Sequence, residues 1–136
     1  MSTEETRNSV QRWFDAVNSL DYATLENIAS PDAMYWTSGP ADKLPFCGTV
    51  TYKERIAAMR ASLGQMCTHK FINMGIIAEG ESAALEIGVR AEGEKGKIYE
   101  NSAIVRFTVK DGKIMDVREY MEFTPFFKYL EASEST

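Results

Sequence analysis

The side chains of this sequence whose type and spacing suggest chemistry are a few carboxylates, a tyrosine and an asparagine, set among apolar residues. Near the C-terminal end, Val117, Glu119 and Met121 alternate with Arg118, Tyr120 and Glu122. Successive strand residues point to opposite faces, so Glu119 shares a face with two apolar side chains. Desolvation raises the proton affinity of a carboxylate in such company, which suits general acid/base work. The plainer alternative is a solvated or ion-paired strand residue. Tyr35 and Trp36 alternate on a short aromatic segment, so one points in and the other out. The Tyr35 hydroxyl is either a donor for a ligand oxygen or the polar tip of a core ring. Asn101 shares a face with Ala103, Val105 and Phe107, where it would orient a polar group. Glu86 and Arg90 lie on the face opposite Leu85, Ile87, Val89 and Ala91. That polar face either lines a hollow or forms an outer surface with cross-strand ion pairs, and periodicity leaves both open. His69 is the lone histidine; at a strand start it reads as exposed rather than catalytic.

The elements that must hold these residues follow from the apolar period. Val10, Trp13, Phe14, Val17 and Leu20 mark one face of an amphipathic helix. Asp21 caps a second, short helix carrying Tyr22, Leu25 and Ile28, and Pro31 stops it. Ala33 to Thr37 reads as a strand, and Ser38 to Gly48, with its prolines and glycines, as a loop. Thr51 to Glu54 is a capping box for a third helix with Ile56, Met59 and Leu63 as its stripe and Gly64 as its stop. Beyond residue 67 the period changes to two. Strands are predicted over 71–79, 82–92, 98–110 and 114–123, with Asp111-Gly112 as a two-residue hairpin turn. Thr124-Pro125 opens a short C-terminal helix with Phe126, Phe127 and Leu130. Helices followed by a run of strands predict an α+β layer, and long adjoining strands predict a twisted, curved sheet with a hollow on its concave side. Phe14, Leu25, Met34, Leu63, Met74, Phe123, Phe126 and Phe127 are candidates for the core or the wall of that hollow, and the seven methionines suit an adaptable apolar lining.

Composition narrows the function classes. A chain of 136 residues is the size of a single domain, and its 44% hydrophobic and 26% charged residues describe a folded one. The net charge of −5, with lysines and arginines scattered, argues against a nucleic-acid binder. Two cysteines, Cys47 and Cys67, without a C-x-x-C pair and with a single histidine, argue against a zinc site and read as free thiols in a reducing compartment. The N-terminal segment is polar and no long apolar run is present, so the expected location is cytoplasmic and away from membranes.

The segments Gly96-Lys97-Ile98-Tyr99-Glu100-Asn101, Phe107-Thr108-Val109-Lys110-Asp111-Gly112-Lys113-Ile114 and Arg118-Glu119-Tyr120-Met121-Glu122 resemble the tail signature of the SnoaL-like polyketide cyclases and of limonene-epoxide hydrolases. Both belong to the nuclear transport factor 2-like superfamily with the ketosteroid isomerase fold. The resemblance covers nearly the whole chain. It implies a single α+β domain over 1–136: a cone-shaped, strongly curved mixed or antiparallel sheet, with three N-terminal helices on its concave face around an apolar pocket. It places Glu119 inside and favours Glu86 inside. Of the epoxide-hydrolase set, Tyr35 matches the tyrosine and Glu119 the last-strand carboxylate, while Thr37 replaces the asparagine and Glu86 and Gly88 replace the Arg-x-Asp pair. The isomerase set is missing as well: Thr37 stands near the base position, and no aspartate lies between Ile98 and Val109.

The resulting expectation is a cofactor-independent isomerase, cyclase or hydrolase acting on a small apolar molecule. Glu119 and Tyr35 would be catalytic, Glu86, Asn101, Trp36 and Met121 would bind substrate, and no metal would be held. The alternative is a non-catalytic binding domain of the same fold, to be told apart by whether several titratable groups converge in the pocket. A homodimer through the outer sheet face, where Arg106, Arg118, Tyr120 and Glu122 fall, is also expected.

Overall fold

The structure, a computed structural model, describes residues 2–134, with side chains as far as Glu131. Helix α1 (Thr3–Ser19) begins at Ser2, whose hydroxyl accepts from the Glu5 N–H, and ends on Leu20 in the left-handed region. Helix α2 (Tyr22–Asn27) is capped by Asp21, whose carboxylate accepts both the N–H and the hydroxyl of Thr24. The chain is already extended at Ala29, before Pro31, so strand β1 (Ala29–Thr37) starts earlier than its aromatic segment suggests. Its N-terminal part pairs irregularly with the last strand, because a proline has no N–H to give to the ladder. Strand β2 (Gly48–Thr51) is too short for a periodic signal: of its residues only Gly48 falls in the expected loop, and Thr51 is also the cap of the next helix. Helix α3 (Tyr52–Leu63) starts as the capping box requires, with the Thr51 hydroxyl accepting from the Glu54 N–H.

Strands β3 (Thr68–Glu79), β4 (Ser82–Glu92), β5 (Ile98–Lys110) and β6 (Lys113–Met121) form an antiparallel meander, and α4 (Thr124–Glu134) closes the chain. Asp111 and Gly112 both have positive φ (51° and 76°), the mirror-image turn that suits the twist of a two-residue hairpin. The six strands make one mixed sheet in the order β2-β1-β6-β5-β4-β3, with β1 and β6 parallel. This is the α+β cone-type fold, with four helices rather than the three N-terminal ones alone.

Helix α1 lies across β3, β4 and β5, while α3 packs on β1. Between helices and sheet sit Val10, Trp13, Val17, Leu25, Leu85, Val105, Phe107, Ile114 and Val117, each 2% exposed or less. Burying an aliphatic or aromatic side chain of this size contributes about 1.5–3 kcal/mol. Trp13 meets Phe107 edge to face at 5.0 Å, which fixes the crossing of α1 over β5. The apolar face of β4 (Leu85, Ile87, Ala91) points inward. That settles the parity left open in the sequence, because Ile87, Val89 and Ala91 line the interior cavity. Among the described residues no helix is long and apolar enough to cross a membrane.

Candidate active site

Parity on β6 and β1 brings the first two groups together. Thr37 pairs with Glu119 and Tyr35 with Val117, so Tyr35, Thr37, Val117 and Glu119 share the inner face. Tyr35 is fully buried, and its hydroxyl donates to Oε1 of Glu119. The other carboxylate oxygen faces Nη2 of Arg55 at 3.5 Å, with the two side chains 11% and 12% exposed. Arg55 also directs its Nε at the Thr37 hydroxyl, 3.4 Å away. Its guanidinium lies over the rings of Tyr35 and Phe46, 5.1 Å from each centroid. A cation flanked by two ring faces is held in place even where its hydrogen bonds are long.

These groups tune one another. Burial, reinforced by the Glu119 charge, pushes the Tyr35 hydroxyl well above the ordinary phenol range, so Tyr35 remains a donor. Burial, the largest single influence, works against the charge on Arg55, but Glu119 together with Tyr35, Cys47 and Tyr99 outweighs it, leaving the guanidinium held more firmly in its charged form. The buried Cys47 is a free thiol raised by burial, with Arg55 opposing and Glu119 adding, so it is no activated nucleophile. Cys67 is free and exposed.

Glu119 and Arg55 form the polar end of a cavity of about 260 Å³. Most of its wall is apolar: Trp13 and Val17 from α1, Met59 and Leu63 from α3, Val105 and Met121 from the sheet. Phe126, Tyr129 and Leu130 of α4 also line it, and Phe126 packs edge-on against Phe46 and Tyr99. Tyr99 and Asn101 of β5 complete the lining, and the Asn101 amide nitrogen lies 2.6 Å from the Tyr99 hydroxyl. Among the described residues no three His, Cys, Asp or Glu side chains gather as metal ligands do.

Of the residues singled out in the sequence, Glu119, Met121 and Asn101 line the cavity, and Tyr35 stands directly behind Glu119. Two are corrected. Glu86 is exposed on the outer face, because the inner face of β4 is its apolar one. Arg90, on that outer face, pairs with Glu100 across β5 at 2.9 Å. Trp36 is also outside: Arg118 lies over its ring at 4.1 Å, and Tyr120 packs beside it. His69 sits at the start of β3 with Nε2 against the Asn18 carbonyl. Arg55, Tyr99 and Phe46 have no site role in the sequence reading, and Cys47 only that of a free thiol. Arg55 had a signal: it lies four residues before Met59 and eight before Leu63, on the same helix face.

The sequence profile of the SnoaL-like domain matches residues 10–117, and the chain belongs to this family. Three solved structures show the same fold. AclR of Streptomyces galilaeus, described as a candidate hydroxylase, is 18% identical, with a TM-score of 0.81 over 96% of this chain and 98% of its own. An epoxide hydrolase of the limonene-epoxide hydrolase type from M. tuberculosis is 19% identical, with a TM-score of 0.75 over 96% and 92%. IdmH of Streptomyces antibioticus, described as a candidate polyketide cyclase, is 16% identical, with a TM-score of 0.79 over 93% and 98%. No curated protein matches the sequence.

Proposed function

We propose that the protein is a small-molecule enzyme of the SnoaL-like type that moves a proton on an apolar ligand, with Glu119 as its acid/base group. The observation that carries this reading is the setting of Glu119: a carboxylate on the wall of a mostly apolar cavity, one oxygen bonded by Tyr35 and the other facing Arg55. A carboxylate oxygen keeps spare lone pairs after one such contact, so Glu119 can still accept a proton. In the reaction envisaged, a C–H bond of the ligand breaks and its proton passes to Glu119. The electron pair moves onto the ligand's own conjugated acceptor, and the same carboxyl returns the proton at a second atom. Atoms and electrons balance within the ligand and Glu119, so no cofactor enters. Tyr35 and Arg55 keep the carboxyl aimed while the apolar wall excludes water. The convergence of Glu119, Arg55 and Tyr99 on one cavity favours this reading over a pocket with a lone carboxylate.

A non-catalytic binding domain is the second reading. It draws on the Arg55–Glu119 pair, since a buried ion pair can serve structure alone. One experiment separates the two. The bicyclic ketone 2-tetralone, an apolar molecule with acidic C–H bonds, is incubated with the protein in heavy water, and deuterium uptake beside the carbonyl is followed by NMR. The expected result is uptake faster than in buffer that drops about a hundredfold or more in Glu119→Gln. Binding of 2-tetralone with uptake no faster than in buffer would establish the binding domain instead.

A further inference from the structure

We infer that the cavity takes a neutral apolar ligand carrying a carbonyl-type acceptor oxygen, and that Tyr99, oriented by Asn101, donates the hydrogen bond to that oxygen. This deepens the reading above and rests on it for the location of the site.

The Asn101 amide is fixed from both ends. Its Oδ1 accepts from the N–H of Ser102 at 2.8 Å, and its Nδ2 donates to the carbonyl of Glu122 at 2.7 Å. A flipped amide would set oxygen against carbonyl oxygen and nitrogen against N–H, so the orientation is determined. The Nδ2 group is therefore the donor toward Tyr99, and the Tyr99 hydroxyl oxygen is the acceptor, at 2.6 Å. A phenol hydroxyl has one proton. With a lone pair occupied by the amide, that proton must point elsewhere, and the ring that carries it lines the cavity. The hydroxyl lies within electrostatic reach of Glu119 and Arg55, the two charged groups of the cavity. Burial raises Tyr99 above the ordinary phenol range, which keeps the proton on the oxygen.

The ligand class follows from the charge balance. Glu119 and Arg55 contribute one negative and one positive charge and face each other. An ionic ligand would give up its hydration to enter and meet no net opposite charge. A neutral carbonyl needs only a neutral donor, and Tyr99 supplies one beside the acid/base group.

The test uses 2-tetralone and tetralin, the same bicycle without the oxygen, binding to the wild-type protein, Tyr99→Phe and Asn101→Asp. Calorimetry gives affinity, and infrared spectroscopy gives the carbonyl stretch of the bound ketone. Tyr99→Phe is expected to weaken 2-tetralone binding roughly tenfold, the size of one lost hydrogen bond, and to leave tetralin unchanged. The carbonyl stretch should move to higher frequency as the bond is lost. Asn101→Asp keeps Tyr99 but turns position 101 into an acceptor, drawing the phenol proton away from the ligand. The same selective loss and spectral shift are expected. Equal weakening of both probes, or an unmoved stretch, would overturn the inference. Failure of both probes to bind the wild-type protein would overturn the apolar-pocket reading and this inference with it. Binding with the expected spectral shifts but no deuterium uptake would remove the enzyme reading and leave Tyr99 as the ligand's donor.

Discussion

At the scale of single residues, the polar end of the cavity is a set of mutually dependent charges, and its parts should fail unequally. Removing Arg55 leaves Glu119 buried without its counter-ion. Arg55→Met is therefore expected to destabilise the protein by about 3–5 kcal/mol, and adding Glu119→Gln to recover much of that loss. Urea unfolding of the two single variants and the double variant checks this. The tyrosines supply a pH signature. Tyr35, Tyr52 and Tyr99 are all raised above the ordinary value of 10.0, each chiefly by burial. Above pH 10 the unfolded chain releases phenol protons that the folded chain keeps, so the folded state binds more protons. Their stabilisation is complete below pH 10 and is expected to decline as pH rises through the raised values. Ultraviolet titration should show late-ionising phenols, one fewer in Tyr35→Phe, with stability falling over the same range. Glu119 and Tyr35 were legible as candidates because strand alternation with apolar neighbours is a local pattern. For Arg55 the helix face it shares with Met59 and Leu63 was legible, but its pairing with Glu119 was not, because that partner lies 64 positions away (119 − 55) on another element. The resemblance sought an arginine on the middle strand; α3 supplies one instead.

At the scale of elements, the site depends on how α3 begins. Arg55 lies in the first turn of that helix, four residues after the Thr51 cap. Thr51→Ala is expected to lose about 1 kcal/mol of stability and to loosen Arg55 against Glu119. Thermal unfolding measures the first effect, and faster amide exchange in residues 52–55 the second. The capping box, the Asp21 cap and the Asp-Gly hairpin were legible because each is a short motif with its own geometry. Strand β2 was not, since four residues carry no period, and its existence depends on pairing with β1. The inward face of β4 was also beyond local pattern: an alternating strand fits either orientation until the helices covering it are known. The same limit misplaced Glu86 and Trp36.

At the scale of the whole molecule, the outer sheet face stays uncovered. Ile72, Met74, Ile104 and Tyr120 are 45–54% exposed there. On this face Arg106 and Arg118 stand directly opposite each other across β5 and β6, while β4 carries the acidic Glu86. A second copy turned by a two-fold rotation would cover the apolar residues and offer acidic groups to that arginine pair. Light scattering should therefore give a dimer at micromolar concentration, and Ile104→Glu a folded monomer; a monomeric wild-type protein would refute the pairing. The fold class was legible at this scale, because helices followed by long hairpin strands leave few architectures. The two tryptophans divide along the same boundary. Trp13 lines the cavity, and its indole N–H comes near Tyr52 without closing a hydrogen bond, the one buried side-chain polar atom among the described residues without a partner. Trp36 lies beneath Arg118 on the outer face. The molecule thus carries two fluorophores in separate compartments. Emission from Trp13 would report a ligand entering the interior and emission from Trp36 would report the proposed pairing of two copies, each isolated by replacing the other with phenylalanine.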